Sequence, residues 1–216
     1  MRSVRPFLML LAGQVLLAAA AVPEQQVVDR IVAHIEDDII TLSEVRELGR
    51  YQQLVEGHAA SDDRLLAQLI EQWIVSAEAT AAHYPLPIEA EVNREIERLG
   101  RQFASPEAYR ERLQQLGLPA AAVRRLMERQ IYLGRYLDYK FRPAVQVDAG
   151  AIEKYYREQL VPPMAAKGQA APALETVQDE IRELLVQAEI SRRSAQWLED
   201  TRSRLRIEFH TPGDGQ

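Results

Sequence analysis

The sequence predicts a mostly α-helical protein with a small β-sheet, in which strands near the N-terminus pair with a strand near the C-terminus. Long stretches carry apolar residues three and four positions apart, which is the spacing of an amphipathic helix. A run rich in β-branched residues covers 27–35, and apolar and charged residues alternate over 205–209. Because isolated short strands are unstable in water, the two chain ends are expected to meet and to close one multi-helix body.

The first 21 residues are expected to be a secretory signal peptide that is not part of the fold. Arg2 and Arg5 precede a short apolar stretch at 7–17, and the four alanines at 18–21 offer small residues for cleavage. An uncleaved anchor is the less favoured alternative, because the apolar stretch is short for a bilayer span. No apolar run of about 20 residues occurs further along, so no integral membrane span is expected after cleavage.

The segment after the signal is predicted to form a strand, a polar turn, a second short strand and a helix. Three acidic residues at 36–38 separate the β-branched run at 27–35 from a second apolar run at 39–42. Thr41 and Glu44 stand three positions apart before an apolar run, which is the spacing of a capping box. A helix is therefore expected to begin directly after the second strand.

Helix-start and helix-stop residues divide the next part of the chain into several amphipathic helices. Ser61 is expected to cap a helix that ends before Pro85, and Ser105 to cap a short helix that ends at Gly117. One further helix is predicted between these two, and a long one follows them and ends before Arg142. The apolar faces are carried by Leu65, Leu69, Ile70, Trp73, Val92, Ile96, Leu99, Leu113, Val123, Leu126, Leu133 and Leu137.

The last third of the chain is predicted to hold a short helix, a linker, a long helix and a strand. Asp148 is expected to cap the short helix. Residues 161–173 are rich in proline, glycine and alanine and lack periodicity, which indicates a linker. Over 177–198, apolar or small residues recur at spacings of four and three, which predicts a heptad seam that packs along another helix.

These elements divide the chain into five parts. They are a signal peptide at 1–21, a helical module with N-terminal strands at 22–160, a linker at 161–173, a C-terminal helix and strand at 174–210, and a polar tail at 211–216. The C-terminal helix and strand are expected to complete the same core as the helical module. Removing 21 of the 216 residues leaves 195, which is enough for one hydrophobic core.

Composition and motifs exclude several classes of function. The chain has no cysteine, which rules out disulfides, thiol catalysis and cysteine-ligated zinc. Its net charge of −6 argues against nucleic acid as a partner, because phosphate binding favours a basic surface. No G-x-S-x-G, P-loop or dinucleotide-binding motif occurs, so no catalytic residue and no cofactor is assigned. No metal site is expected either, because no metal-binding spacing connects His34, His58, His83 and His210.

A group of aromatic residues in the second half of the chain is the candidate surface for binding other polypeptides. Three of its tyrosines are spaced by four and three residues, so they share one face of a helix. Tyrosine offers a large contact area with a hydroxyl that tolerates water, and methionine adapts to different partners. The alternative is that the tyrosines pack against the C-terminal helix, as most aromatic residues at helical spacing do. The candidate residues are Tyr132, Tyr136, Tyr139, Phe141, Tyr155, Tyr156 and Met164.

The opening VVDRIVAHIEDDIITLSEV, residues 27–45, resembles the N-terminal signature of the SurA-like periplasmic chaperones, which are related to trigger factor. The helices at 62–156 resemble that family's N-terminal module, and residues 175–209 are similar to the helix and strand that complete it. In that family, parvulin-type prolyl isomerase domains stand between these parts. This chain has only residues 161–173 there, and thirteen residues are too few for a domain.

The resemblance implies the chaperone core of that family without its isomerase domain. The expected function is ATP-independent binding of unfolded polypeptides, including outer-membrane proteins, in the periplasm. One alternative is a peptidyl-prolyl isomerase of the same group with an unrecognised catalytic site. A second is a structural subunit whose C-terminal helix docks a fixed partner or a second copy in a homodimer. Enzymatic activity therefore stays open, and the missing parvulin domain favours its absence.

Overall fold

The computed structural model describes residues 29–210, so the signal peptide predicted at 1–21 and the tail predicted at 211–216 lie outside the described residues. The strands are β1 (Ile31–Ile35), β2 (Asp38–Thr41) and β3 (Ile207–Phe209). The helices are α1 (Leu42–Val55), α2 (Asp62–Ala81), α3 (Glu89–Gly100), α4 (Pro106–Leu116), α5 (Ala120–Phe141), α6 (Ala149–Tyr155), α7 (Val161–Ala166) and α8 (Leu174–Arg202). A mostly α-helical fold with a small β-sheet is therefore confirmed. Within residues 29–210, no helix combines the length and the apolar character needed to cross a membrane.

The two ends of the described chain meet in a three-stranded sheet. The strand order is β2-β1-β3, and both pairs are antiparallel. Ile35 of β1 lies opposite Ile207 of β3, and the amide of His210 donates to the carbonyl of Val32 at 3.0 Å. The pairing of the N-terminal strands with a C-terminal strand is therefore confirmed, and the central strand is satisfied on both edges.

The core beneath the sheet is assembled from both ends of the chain. Buried residues of β1, α1 and α2 form one cluster, and Trp197, Leu198, Leu205 and Ile207 pack against it. A second cluster joins α1 to α4 and α5, and a third joins α2 to the second half of α5. The C-terminal helix and strand thus complete the core that the N-terminal elements begin.

The ends of α1 and α4 follow the signals in the sequence. Glu44 Oε2 accepts from the amide of Thr41 at 2.8 Å, and the hydroxyl of Thr41 accepts from the amide of Glu44, which closes the capping box. Ser105 caps α4 through a hydrogen bond from the amide of Ala108 to its hydroxyl at 3.2 Å. Gly117 ends α4 in the left-handed region at φ 58°, which glycine adopts without a steric penalty.

The linker predicted at 161–173 requires a correction, because its first half is helical. Residues 156–160 form a widened π-helical turn that joins α6 directly to α7, and the amide of Val161 donates to the carbonyl of Tyr156. Proline has no N–H, and its ring clashes with the carbonyl four residues earlier in a regular α-helix. Pro162 and Pro163 stand in the first turn of α7, where the widened turn accommodates them. The irregular stretch is therefore limited to 167–173.

The heptad seam predicted for α8 faces the core at only some of its positions, in both halves of the helix. Ile181 is buried, whereas Leu184 is 47% exposed. In the second half the buried residues are Ile190 and Ser194, and the predicted seam residues Ala188, Ser191 and Ala195 are exposed. A straight α-helix has 3.6 residues per turn, so its inward face drifts by about 20° per heptad from a strict seven-residue repeat. The residues that face the core therefore shift along the sequence.

Candidate functional site

The tyrosines in the second half of α5 divide between the core and the surface. Tyr132 and Tyr136 are buried, and Tyr136 is only 3% exposed. Both pack with Val75 and Ala79 of α2 in the third core cluster, and the ring of Tyr136 makes an edge contact with that of Tyr84 at 5.5 Å. The prediction that these two tyrosines lie on the candidate surface is therefore corrected. They follow the alternative, in which the tyrosines pack against the C-terminal helix, and they pack against α2 as well.

Tyr139 reaches the surface one turn further along α5 and is 62% exposed. Its ring centroid lies 5.2 Å from that of Tyr84, the third residue of the connection between α2 and α3. Leu86 and Ile88 of that connection are also exposed. We call Tyr84, Leu86, Ile88 and Tyr139 the tyrosine patch. Tyr84 itself is half-buried and joins Tyr139 to the connection, along which Leu86 and Ile88 follow. A group of exposed apolar residues, unlike a single one, is typical of interaction surfaces.

The remaining candidate residues do not join the tyrosine patch. Phe141 packs on Trp197 of α8, with ring centroids 5.9 Å apart. Tyr155 and Met164 are half-buried. The hydroxyl of Tyr156 donates to the carbonyl of Pro172 at 2.7 Å and so fastens the irregular stretch at 167–173 to the π-helical turn. The seven predicted residues are thus spread over several environments and do not form one surface.

A cleft of about 300 Å³ opens between α1, α2 and α5. Its floor is apolar and its rim is polar, and glutamine is the commonest residue of the rim. We call it the glutamine cleft. The floor includes Leu48, Val75, Leu126, Leu133, Leu137 and Leu198, and the rim glutamines are Gln52, Gln68, Gln72 and Gln130.

The rim amides are arranged by hydrogen bonds that leave some of their capacity unused. Gln52 donates to Gln68 at 2.8 Å, and the hydroxyl of Tyr51 donates to the side-chain oxygen of Gln130 at 3.0 Å. Burial raises the pKa of Tyr51 to about 12, so this hydroxyl stays protonated and remains a donor. The side-chain oxygen of Gln72 is buried and has no hydrogen-bond partner among the described residues.

An amide rim over an apolar floor suits the chemistry of an extended polypeptide. Each glutamine both donates and accepts, so it can pair with backbone N–H and C=O groups, which every sequence presents. The leucine floor can receive an apolar side chain without requiring a particular shape. The arrangement combines contact with the main chain and low discrimination between side chains, which is what a binder of many sequences needs.

Ion pairs fix α8 against the end of α5. The guanidinium of Arg142 lies 2.7 Å from Asp138 and 2.7 Å from Glu183 of α8. The hydrogen bond from Arg142 lowers the pKa of Asp138, and the same guanidinium lowers the pKa of Glu183 to about 2. Leu198, fifteen residues further along α8, lines the glutamine cleft.

The sequence pattern pointed to the aromatic residues and missed the glutamines of the rim. A local signal was present, because Gln68 and Gln72 stand four residues apart beside the apolar stripe of α2. Gln130 likewise interrupts the apolar spacing of α5. That these side chains meet across three helices depends on tertiary packing, which the spacing within one helix does not specify.

Among residues 29–210, no three histidine, aspartate or glutamate side chains gather where they could hold a metal ion. A scan of the chain against protein-family models and a search of curated proteins both found no match.

Proposed function

We propose that this protein is an ATP-independent chaperone that holds unfolded polypeptides, including outer-membrane proteins, in the periplasm. The observation that carries the proposal is the glutamine cleft, with its leucine floor and its rim of side-chain amides. The signal-like N-terminus supports the location, and the resemblance of residues 27–45 to the SurA-like chaperones supports the class of function.

The free energies of apolar burial and of binding favour attachment of a client to the protein at several points. Burying one large apolar side chain contributes about 1.5–3 kcal/mol. A micromolar complex requires about 8 kcal/mol beyond the cost of ordering a flexible chain. One side chain in the glutamine cleft therefore does not suffice, and the tyrosine patch supplies a second apolar contact. Weak contacts at separate points let the client leave without nucleotide hydrolysis when it folds or inserts elsewhere.

Suppression of aggregation tests the proposal directly. A denatured outer-membrane protein is diluted into buffer with the mature chain, and light scattering is recorded over time. We expect scattering to fall at a stoichiometric ratio. Unchanged scattering would reject the chaperone function.

Site-specific photo-crosslinking tests whether the glutamine cleft is where the client binds. A photoreactive amino acid replaces Gln68 at the rim, and in a matched control it replaces Gln114, an exposed glutamine of α4. We expect client adducts from position 68 and few from position 114. Equal yields at both positions would remove the cleft from the proposal.

A proline-peptide isomerisation assay, run beside the scattering assay on the same preparation, separates the chaperone from the isomerase alternative. We expect the rate of cis-trans exchange to equal the uncatalysed rate. A protein concentration-dependent acceleration would instead assign an isomerase activity to the chain.

A further inference from the structure

A second cavity, different in chemistry from the glutamine cleft, lies between α1, α2 and α5. It measures about 300 Å³, and three arginines line it, Arg50 from α1 and Arg125 and Arg129 from α5. Glu44 and Glu47 also line it, so three positive charges face two negative ones. We call this cavity the arginine pocket.

The two carboxylates of the arginine pocket are already engaged. Glu47 accepts two hydrogen bonds from Arg125, at 3.1 and 3.3 Å. Glu44 is held in the capping box of α1, where it accepts from the amide of Thr41 at 2.8 Å. Only Glu47 forms an ion pair with an arginine of the pocket, and the charge of Glu44 remains, so the lining keeps one positive charge in excess.

Arg50 and Arg129 are the arginines of the pocket that have no ion-pair partner. Neither guanidinium takes part in a side-chain hydrogen bond or an ion pair within residues 29–210, and the Nε atom of Arg50 is buried without an acceptor. A buried donor without an acceptor is unfavourable, and a charged one is more so. An anion that enters the pocket would provide an acceptor for the terminal guanidinium nitrogens of these two arginines, and a carboxylate matches the planar fork of a guanidinium.

A cavity of about 150 Å³ adjoins the arginine pocket, and we call it the apolar cavity because Ile39, Ile40 and Trp73 line one part of it. Gln72 and Ser76 line the rest, and the cavity shares Glu44, Leu69 and Arg129 with the arginine pocket. The indole nitrogen of Trp73 donates to Asp38 at 2.8 Å, which fixes the orientation of the ring. A ligand that carries a carboxylate beside an apolar group would fill both cavities at once.

We propose that the arginine pocket and the adjoining apolar cavity bind the C-terminal end of a client polypeptide whose last residue is apolar. In such a residue the α-carboxylate and the side chain leave the same Cα, so they reach two neighbouring cavities. A residue within a chain brings main chain on both sides, for which two small cavities leave little room. The inference rests on the proposed function and deepens it, because it names the part of the client that is recognised.

The test compares peptides that differ only at their ends. Anisotropy is measured with an N-terminally labelled eight-residue peptide that ends in leucine with a free carboxylate, and with the same peptide as the C-terminal amide. A third peptide is amidated and carries an internal glutamate. We expect the free acid to bind about tenfold more tightly than either amidated peptide, the order typical of a charge-assisted pair. Equal affinity for all three, or tight binding of the internal glutamate, would overturn the proposal.

Arginine variants connect that selectivity to the pocket. Arg129→Gln should weaken binding of the free acid about tenfold and leave the amide unchanged, and Arg129→Lys should restore part of the loss. Arg94→Gln is the matched control, since Arg94 is an exposed arginine of α3 that lies outside the pocket. Loss of selectivity in the control, or its persistence in Arg129→Gln, would contradict the assignment. Circular dichroism establishes that each variant is folded.

Failure of the pocket and failure of the proposed function give different results. If the acid and amide peptides bind equally while aggregation of a denatured client is still suppressed, the pocket assignment falls and the chaperone function stands. If aggregation is not suppressed while the free acid is still selected, the chaperone function falls and the chain is a binder of C-terminal ends.

Discussion

Tyr136 and Tyr139 stand three residues apart on α5 and have opposite environments. The side chain of Tyr136 is 3% exposed and packs against α2, whereas that of Tyr139 is 62% exposed. Their spacing puts both on one helical face, but α2 covers only the earlier part of that face. The sequence could therefore group these residues and could not separate the core member from the surface member.

Replacing each tyrosine with alanine should show that Tyr136 contributes to stability and Tyr139 to client binding. Tyr136→Ala leaves a cavity in the third core cluster and is expected to lower the free energy of unfolding by about 3–5 kcal/mol, as for other large-to-small aromatic changes. Tyr139→Ala should change it by less than about 1 kcal/mol and should weaken suppression of aggregation. Urea unfolding and light scattering measure the two effects. Equal destabilisation by both variants would contradict the division of α5 into core and surface.

The connection from α6 to α7 shows what a sequence pattern can miss at the scale of an element. Prolines and glycines at 161–173 indicated a linker, yet Pro162 and Pro163 lie within a helical path that widens at 156–160 to admit them. Two adjacent prolines occur both in the first turn of a helix and in a loop, so the amino-acid composition alone does not distinguish the two structures. The caps of α1 and α4, in contrast, depend on residues within a few positions of each other, and the sequence predicted both.

Replacing both prolines tests why the widened turn forms. In the variant Pro162→Ala and Pro163→Ala, a regular i to i−4 hydrogen-bond pattern can run through 156–166, and alanine favours the helix interior where proline disfavours it. We expect slower amide exchange over 156–161 and a free energy of unfolding that is higher by about 1 kcal/mol. As a control, Pro85→Ala replaces an exposed proline in the connection between α2 and α3 and should leave exchange at 156–161 unchanged. Unaltered exchange in the double variant would assign the widened turn to packing against α8.

The clamp between α5 and α8 makes stability depend on pH in a stated direction. The pKa of Glu183 is lowered from 4.5 to about 2 by the hydrogen bond from Arg142, and the pKa of Asp138 is lowered by the same guanidinium. A carboxyl group with a depressed folded-state pKa stabilises the fold above its unfolded-state pKa. That contribution is lost as the pH falls from about 4.5 towards 2.

Removing the guanidinium should reduce this dependence. The urea midpoint of the wild-type chain is expected to fall between pH 6 and pH 3, and that of Arg142→Gln to fall by less, because its carboxyl groups no longer titrate abnormally. Both acidic groups are substantially exposed, so the difference should be small and should shrink further in salt. Arg94→Gln provides a matched exposed arginine. An identical pH dependence of the wild type and Arg142→Gln would contradict the clamp.

At the scale of the whole molecule, the closure of the chain ends could be predicted and the binding cavities could not. Three short strands at the two ends of the chain had no other partners, so their pairing followed from the instability of isolated strands. The glutamine cleft and the arginine pocket are bounded by side chains from α1, α2 and α5. Those cavities are spaces left between packed helices, and their shape depends on how the helices cross.

Truncation tests how far the helical body depends on β3. A chain that ends at Ser203 loses Leu205 and Ile207 from the first core cluster, together with the hydrogen bonds that β3 makes to β1. Losing two half-buried large apolar residues and a few backbone hydrogen bonds should lower the free energy of unfolding by about 3 kcal/mol. A chain that ends at His210 keeps β3 and serves as the control.

The shorter chain should also associate. Without β3, β1 becomes an edge strand with unpaired N–H and C=O groups, which can pair with the same edge of a second copy. Light scattering after size-exclusion chromatography should show concentration-dependent dimers for the chain that ends at Ser203. The control chain, which ends at His210, should have the same oligomeric state as the full chain. If the two truncated chains have the same urea midpoint and the same mass, β3 does not close the core, and α8 alone holds the C-terminal part of the chain on the helical body.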